Sequence, residues 1–130
     1  MQPDALDRRR HIRVKWPFTI HVYPAHRPPL SAYTEDISET GVRVTVHEPI
    51  PVASVVGVVM YVNRQPIACK AEVKWLNKRE SRFIESGVFF DIGMQFIDLS
   101  AHDRQSIADR VDAIATQQQW SQQKSSPDSI

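Results

Sequence analysis

Five basic side chains, Arg8, Arg9, Arg10, Arg13 and Lys15, fall within eight residues near the N-terminus, and they are the densest chemical feature of the chain. A guanidinium stays ionised and offers a planar fork that matches a phosphate or the O6/N7 edge of guanine. The rest of the chain is mixed and slightly acidic. A cluster this local suits a small anionic ligand, whereas a nucleic-acid surface needs cations spread over a whole face. A second group, Asp36-Ile37-Ser38-Glu39-Thr40-Gly41, combines a carboxylate acceptor, a hydroxyl and a glycine within six residues. Taken separately, each group also has an ordinary explanation: a solvated basic arm for the first, backbone turn chemistry for the second.

Other chemistry is poorly represented. The five histidines, His11, His21, His26, His47 and His102, include no pair at metal-ligand spacing on one helix. Cys69 sits on the apolar phase of an alternating stretch, where a thiol packs as a small hydrophobe. With four glycines in all, the chain carries neither a phosphate-cradling loop nor a nucleophile elbow. The expectation is a protein that is not an enzyme, with no metal and no cofactor. A single cysteine excludes a disulfide scaffold and favours a reducing compartment, the cytoplasm. The longest apolar run, Val55 to Val62, is too short to cross a bilayer, so no membrane insertion is expected.

These groups need elements to position them, and hydrophobic periodicity supplies the list. Val14, Trp16, Phe18, Ile20 and Val22 alternate with polar residues and Pro17, the pattern of a half-buried strand with an irregularity at the proline. Three prolines between Pro24 and Pro29 predict a loop. Strands follow at Tyr33–Ser38, Val42–Val46, Ser54–Val62, Ile67–Trp75 and Val88–Phe96, the last interrupted near Asp91 or Gly93. Ser54–Val62 is apolar on both faces and reads as well covered. Asn63–Pro66 has turn composition, and Asn77–Ser86 reads as a long hairpin connection. Trp16 and Trp75 lie on apolar phases and are assigned to the core. Ile107, Val111 and Ile114, with Ala108 and Ala115, then fall at helical spacing behind Ser100 as N-cap. The 130 residues, 42% hydrophobic and 24% charged with a net charge of +1, are sufficient for one compact domain. The reading is a mainly β fold, a six-stranded antiparallel β-barrel with a C-terminal α-helix. Residues 1–7 form a flexible N-terminus, 8–116 the domain and 117–130 a disordered, Gln- and Ser-rich tail.

Arg9-Arg10-His11-Ile12-Arg13 is an R-x-x-x-R pattern just before the first strand, and Asp36 to Gly41 is a D-x-S-x-x-G pattern at the end of the second. The pair, in this order and within six strands and a helix, resembles the PilZ domain, the bacterial receptor module for cyclic di-GMP. Ala71-Glu72-Val73-Lys74-Trp75 and Gly93-Met94-Gln95-Phe96 add to the likeness, which covers about residues 8 to 115. The resemblance implies a PilZ-like barrel and a non-catalytic receptor that binds cyclic di-GMP and signals through a ligand-induced change of the N-terminal arm and surface. It places Arg9 and Arg13 on the ligand as clamps. Asp36 accepts from a guanine edge, Ser38 donates to a phosphate oxygen, and Gly41 allows close backbone approach or a positive φ. An arginine at position 8 resembles the group that binds a stacked dimer of the ligand, which implies two molecules per chain. With no second domain, the chain is expected to act on a protein partner of flagellar, pilus or polysaccharide-export type, and not on DNA. The alternative is a nucleotide-independent protein-interaction adaptor of the same fold.

Overall fold

The computed structural model describes residues 12–80 and 87–128, with side chains to Gln118. Seven strands and a helix follow in order: β1 (Val14–Lys15), β2 (Thr19–Tyr23), β3 (Leu30–Ile37), β4 (Gly41–Val46), β5 (Val55–Val62), β6 (Gln65–Glu80), β7 (Val88–Phe96) and α1 (Ala101–Asp128). All pairings are antiparallel. Strands run β2-β5-β6-β7-β4-β3, and β3 pairs back onto β2, so six strands close a barrel, with β1 an additional pairing on β3. Closure leaves no long free sheet edge around the ring.

The first alternating segment is divided at Pro17, which has no N–H to give a ladder. Thr34, 1% exposed, repairs the gap: its hydroxyl lies 2.6 Å from the Trp16 carbonyl and 2.9 Å from that of Phe18, and it accepts the Phe18 N–H at 2.9 Å. Asn63 and Arg64, both at positive φ, make a two-residue hairpin turn, so Gln65 and Pro66 belong to β6 rather than to the turn. β6 is also longer than its alternation implies. It continues through Asn77 to Glu80, paired with β7, where polar composition predicts a connection.

Inward positions of all six barrel strands form one core, with Ile20, Val22, Val44, Val58, Met60 and Ile92 fully buried. Each such side chain contributes roughly 1.5–3 kcal/mol by leaving water. Helix α1 adds Ile107, Val111 and Ile114 to that core. Ser100 caps it, accepting the Asp103 N–H at 3.0 Å, and Arg110 lies over the Trp16 ring at 5.5 Å. The helical backbone runs on to Asp128, whereas composition predicts a tail from residue 117. Residues 117–126 include no glycine or proline, so a helix nucleated by the packed turns propagates through them to its end beside Pro127. The outer face of β5 departs from expectation too. Val55 and Tyr61 are 51% and 56% exposed, and only the middle of the strand is partly covered, by Tyr23 against Gly57.

Candidate functional site

Two irregularities in the barrel wall build the site. β3 and β4 shift register between Thr34 and Asp36, and β6 and β7 shift between Val73 and Trp75. Each bulge inserts one residue, so two consecutive side chains leave the wall on its outer side: Glu35 with Asp36, and Lys74 with Trp75. Between them the register forms a lateral row, Asp36 opposite Arg43, Arg43 opposite Gly93, Gly93 opposite Trp75. At a strand spacing of about 4.8 Å the row is about 14 Å long. Gly93 is required where it stands, because a Cβ there would run into the Trp75 indole, which lies directly over the glycine. The irregularity expected in β7 near Gly93 is thus carried by the partner strand β6. Trp75, expected in the core, is 39% exposed because the bulge reverses the phase of everything after Val73.

The carboxylate of Asp36 is the hinge of the polar end. Its Oδ1 accepts the Arg13 Nε–H at 2.7 Å and its Oδ2 accepts the Arg43 Nε–H at 2.9 Å. Arg13 is thereby drawn across 23 residues of sequence onto β3, with its Nη1 3.5 Å from the Ser38 hydroxyl. Ser38 is fully buried and organises the turn before β4. Its N–H donates to the Gly41 carbonyl at 2.9 Å, and its Oγ accepts the amides of Thr40 and Gly41 at 3.2 and 3.3 Å. Gly41 has no positive φ; it is needed because a Cβ would collide with the Met94 carbonyl oxygen of β7. Of the two reasons offered for this glycine, close backbone approach is the one realised. Arg13, Asp36, Thr40, Gly41, Arg43, Lys74, Trp75, Gly93, Met94 and Gln95 line an open cleft of about 520 Å³. Three cations face one carboxylate along that lining.

The two sequence patches therefore meet: Arg13, Asp36, Ser38 and Gly41 come together at one end of the barrel wall. Arg8 and Arg9, the remaining expected ligand residues, lie outside the described residues, as does Arg10. Sequence reasoning missed Arg43, Thr40, Lys74 and Gln95, and misplaced Trp75. Arg43 and Lys74 carried a signal, lying on the polar phases of β4 and β6; Trp75 did not carry it by phase, since only the bulge turns it outward beside Lys74. Cys69 is a core thiol as expected, with its pKa pushed up to about 11 by burial first and by the charges of Asp98 and Asp103 after it. Such a thiol stays protonated and unreactive near neutrality. No cluster of metal-ligating side chains occurs among the described residues, and no described helix is long and apolar enough to cross a membrane.

A family model for the PilZ domain matches residues 7–113, most of the chain and both halves of the site. The chain belongs to the PilZ domain family. No curated protein matches it in sequence. Solved structures agree on the fold of this PilZ domain. The PilZ domain of YcgR from Escherichia coli, determined with c-di-GMP, superposes with a TM-score of 0.70 at 13% identity, over 90% of this chain and 98% of that one. The MrkH–c-di-GMP complex of K. pneumonia gives 0.70 at 16% identity, over 86% of this chain and 53% of that one. The Bacillus subtilis inhibitor of motility MotI/DgrA gives 0.66 at 13% identity, over 82% and 50%. The chain thus spans about half the length of MrkH and MotI/DgrA. At these identities the likeness speaks to fold alone.

Proposed function

We propose that this PilZ domain is a non-catalytic receptor for cyclic di-GMP. The observation that carries the reading is the convergence of Arg13, Asp36 and the Ser38–Gly41 turn on one cleft whose far wall is an outward-facing Trp75. Cyclic di-GMP presents two phosphates and two guanines. Its recognition needs fixed positive charge, planar donors for O6 and N7, an acceptor for the N1–H and N2–H₂ edge, and a flat surface for a purine face. Arg13 and Arg43 supply the first two, Asp36 the third and the Trp75 indole the fourth. At about 520 Å³ the cleft falls in the size range of small-molecule sites. Two of the superposable proteins were solved with this same dinucleotide, and the chain carries both family motifs in order.

Ser38 acts in this reading mainly by holding the turn that presents the Thr40 and Gly41 backbone, since its hydroxyl is buried and already bonded. The arginine arm, Arg8 and Arg9 included, closes over the ligand from the N-terminal side, and the changed surface addresses a protein partner of the motility or polysaccharide-export kind. The reading places the protein in a reducing compartment, the cytoplasm, in keeping with its single thiol, Cys69. Several charge-assisted hydrogen bonds of about 1.5–3 kcal/mol, less the ordering of the arm, give an affinity near micromolar. Calorimetric titration with cyclic di-GMP, GTP and single-stranded DNA tests this. Saturable heat with the cyclic dinucleotide alone, at two molecules per chain, is the expected result; one per chain rejects the stacked dimer assigned to Arg8. Silence with all three rejects the receptor and leaves the nucleotide-independent adaptor.

A further inference from the structure

We propose that Arg43 contacts a phosphate of the ligand directly and forms, with Arg13, the two prongs of a clamp spaced by Asp36. The inference deepens the receptor reading and rests on it. Charge balance is the first argument. Asp36 bonds the Nε of both arginines at 2.7 and 2.9 Å, and one carboxylate cannot neutralise two guanidinium ions. The third cation of the cleft, Lys74, has its ammonium 3.5 Å from Glu72. Without Arg43, Arg13 and Asp36 would cancel, leaving little attraction for a doubly charged ligand. With it, cations exceed carboxylates along the cleft lining; Glu35, 4.0 Å from Arg43, lies outside that lining and is shared with Arg79 at 3.9 Å.

Donor geometry agrees. Because Asp36 takes the Nε–H of each arginine, the terminal Nη groups are those left to act. Among the described residues the contacts these groups make are long: Arg13 Nη1 is 3.5 Å from Ser38 Oγ, and Arg43 Nη2 is 4.0 Å from Glu35. Both separations exceed the 2.7–3.2 Å of a good N–H···O bond, so a phosphate oxygen would be the better partner. Position makes the same case. Arg43 pairs with Gly93, and the Trp75 ring lies over that glycine, so a purine stacked on the indole has its ribose and phosphate about one strand spacing from Arg43. Arg43 is also the preorganised prong. It stands inside β4 with β3 and β7 on either side, whereas Arg13 precedes the first strand and is held by side-chain bonds alone.

The competing account gives Arg43 only a structural part, tying β3 to β4 through Asp36 and Glu35. Calorimetry with cyclic di-GMP on the full chain separates the two, using wild type, Arg43→Gln, Arg43→Lys and Arg79→Gln. Arg79 belongs to the same ion-pair array, 3.9 Å from Glu35, but lines no part of the cleft. Loss of one charge-assisted contact is expected to weaken binding of Arg43→Gln about 10- to 100-fold. Arg43→Lys, which keeps the charge and loses the fork, should fall between that variant and wild type. Arg79→Gln should bind within about twofold of wild type, as expected for an exposed pair. Salt supplies the readout that a structural role would not move. Raising it from about 0.05 to about 0.5 M should weaken wild type and Arg43→Lys more than Arg43→Gln, which has one fewer charge to screen. Wild-type binding with Arg43→Gln unaffected, or weakened with an unchanged salt dependence, overturns the clamp while leaving the receptor intact. Should Arg43→Gln fail to fold, Arg43→Lys decides: affinity and salt dependence equal to wild type reject the fork. A wild-type chain that binds no cyclic di-GMP overturns the receptor reading, and the clamp with it.

Discussion

The wall of the barrel made by β3, β4 and β7 and the wall made by β2 and β5 enclose the same core but meet solvent with opposite chemistry. On the first, Arg13, Asp36, Arg43, Glu35 and Asp91, joined by Arg79 from the neighbouring β6, form a chain of ion pairs between 2.7 and 4.0 Å, with Thr45 hydroxyl contacts of 2.9 Å to Glu35 and 3.0 Å to Asp91. On the second, the outward residues of β5 are Val55, Gly57, Val59 and Tyr61, with Tyr23 lying against Gly57. Those ion pairs range from half-buried to exposed, and the exposed ones are worth little as stabilisation. Their effect is orientation: the Arg13 and Arg43 guanidinium groups have fixed places, which a ligand site requires and a core does not. On this wall β5 turns no charged side chain outward and β2 turns out only Thr19, His21 and Tyr23, so the fixed charges that could orient a doubly charged ligand lie on the other side.

Asp36→Ala should do the most damage to the contrast, because it frees both arginines at once. Affinity for cyclic di-GMP is expected to fall at least about 100-fold, the equivalent of two charge-assisted bonds. Far-ultraviolet circular dichroism should be unchanged, since the barrel core does not involve this side chain. Binding that survives would mean that the arginines need no carboxylate to hold them. Trp75→Ala removes the stacking surface and should cost about 1–3 kcal/mol of binding, read by titration, with the fold intact. A loss of stability instead would return Trp75 to the core role its alternation implies.

Cys69 gives a smaller effect located inside the barrel rather than on either wall. Its folded-state pKa, raised to about 11 from 9.0, means that the unfolded thiol ionises first as pH rises. The contribution is therefore fully present below pH 9 and is lost between 9 and 11. Thermal unfolding of wild type should show a decline across that window that is absent in Cys69→Ala. The mildest expectation concerns the apolar wall: Tyr61→Ser should bind cyclic di-GMP within about twofold of wild type, because a side chain far from the charge array changes no term of recognition. A larger change would show that the two walls are not independent.

Much of the fold was legible because the core obeys simple periods. Residues such as Ile20 and Val22, Val56 to Val62, or Ile107 to Ile114 repeat at two or at three to four because one face of each element must leave water, and a single sequence displays that directly. Ser100 was readable as a cap for a similarly local reason, the orphan N–H groups of a first turn. Asp36, Ser38 and Gly41 were readable as a motif, and Arg13 as a cation beside a strand. What the chain order left open is which of these patches face one another, and only barrel closure, with β3 between β2 and β4, answered it. The two bulges were likewise invisible. Inserting one residue at Glu35 or at Lys74 changes no composition and breaks no local rule, yet it reverses the phase of the strand beyond it and turns Trp75 from the core to the cleft. Periodicity is a local property and survives in sequence; register is a relation between strands far apart in the chain, and exists only once they have paired.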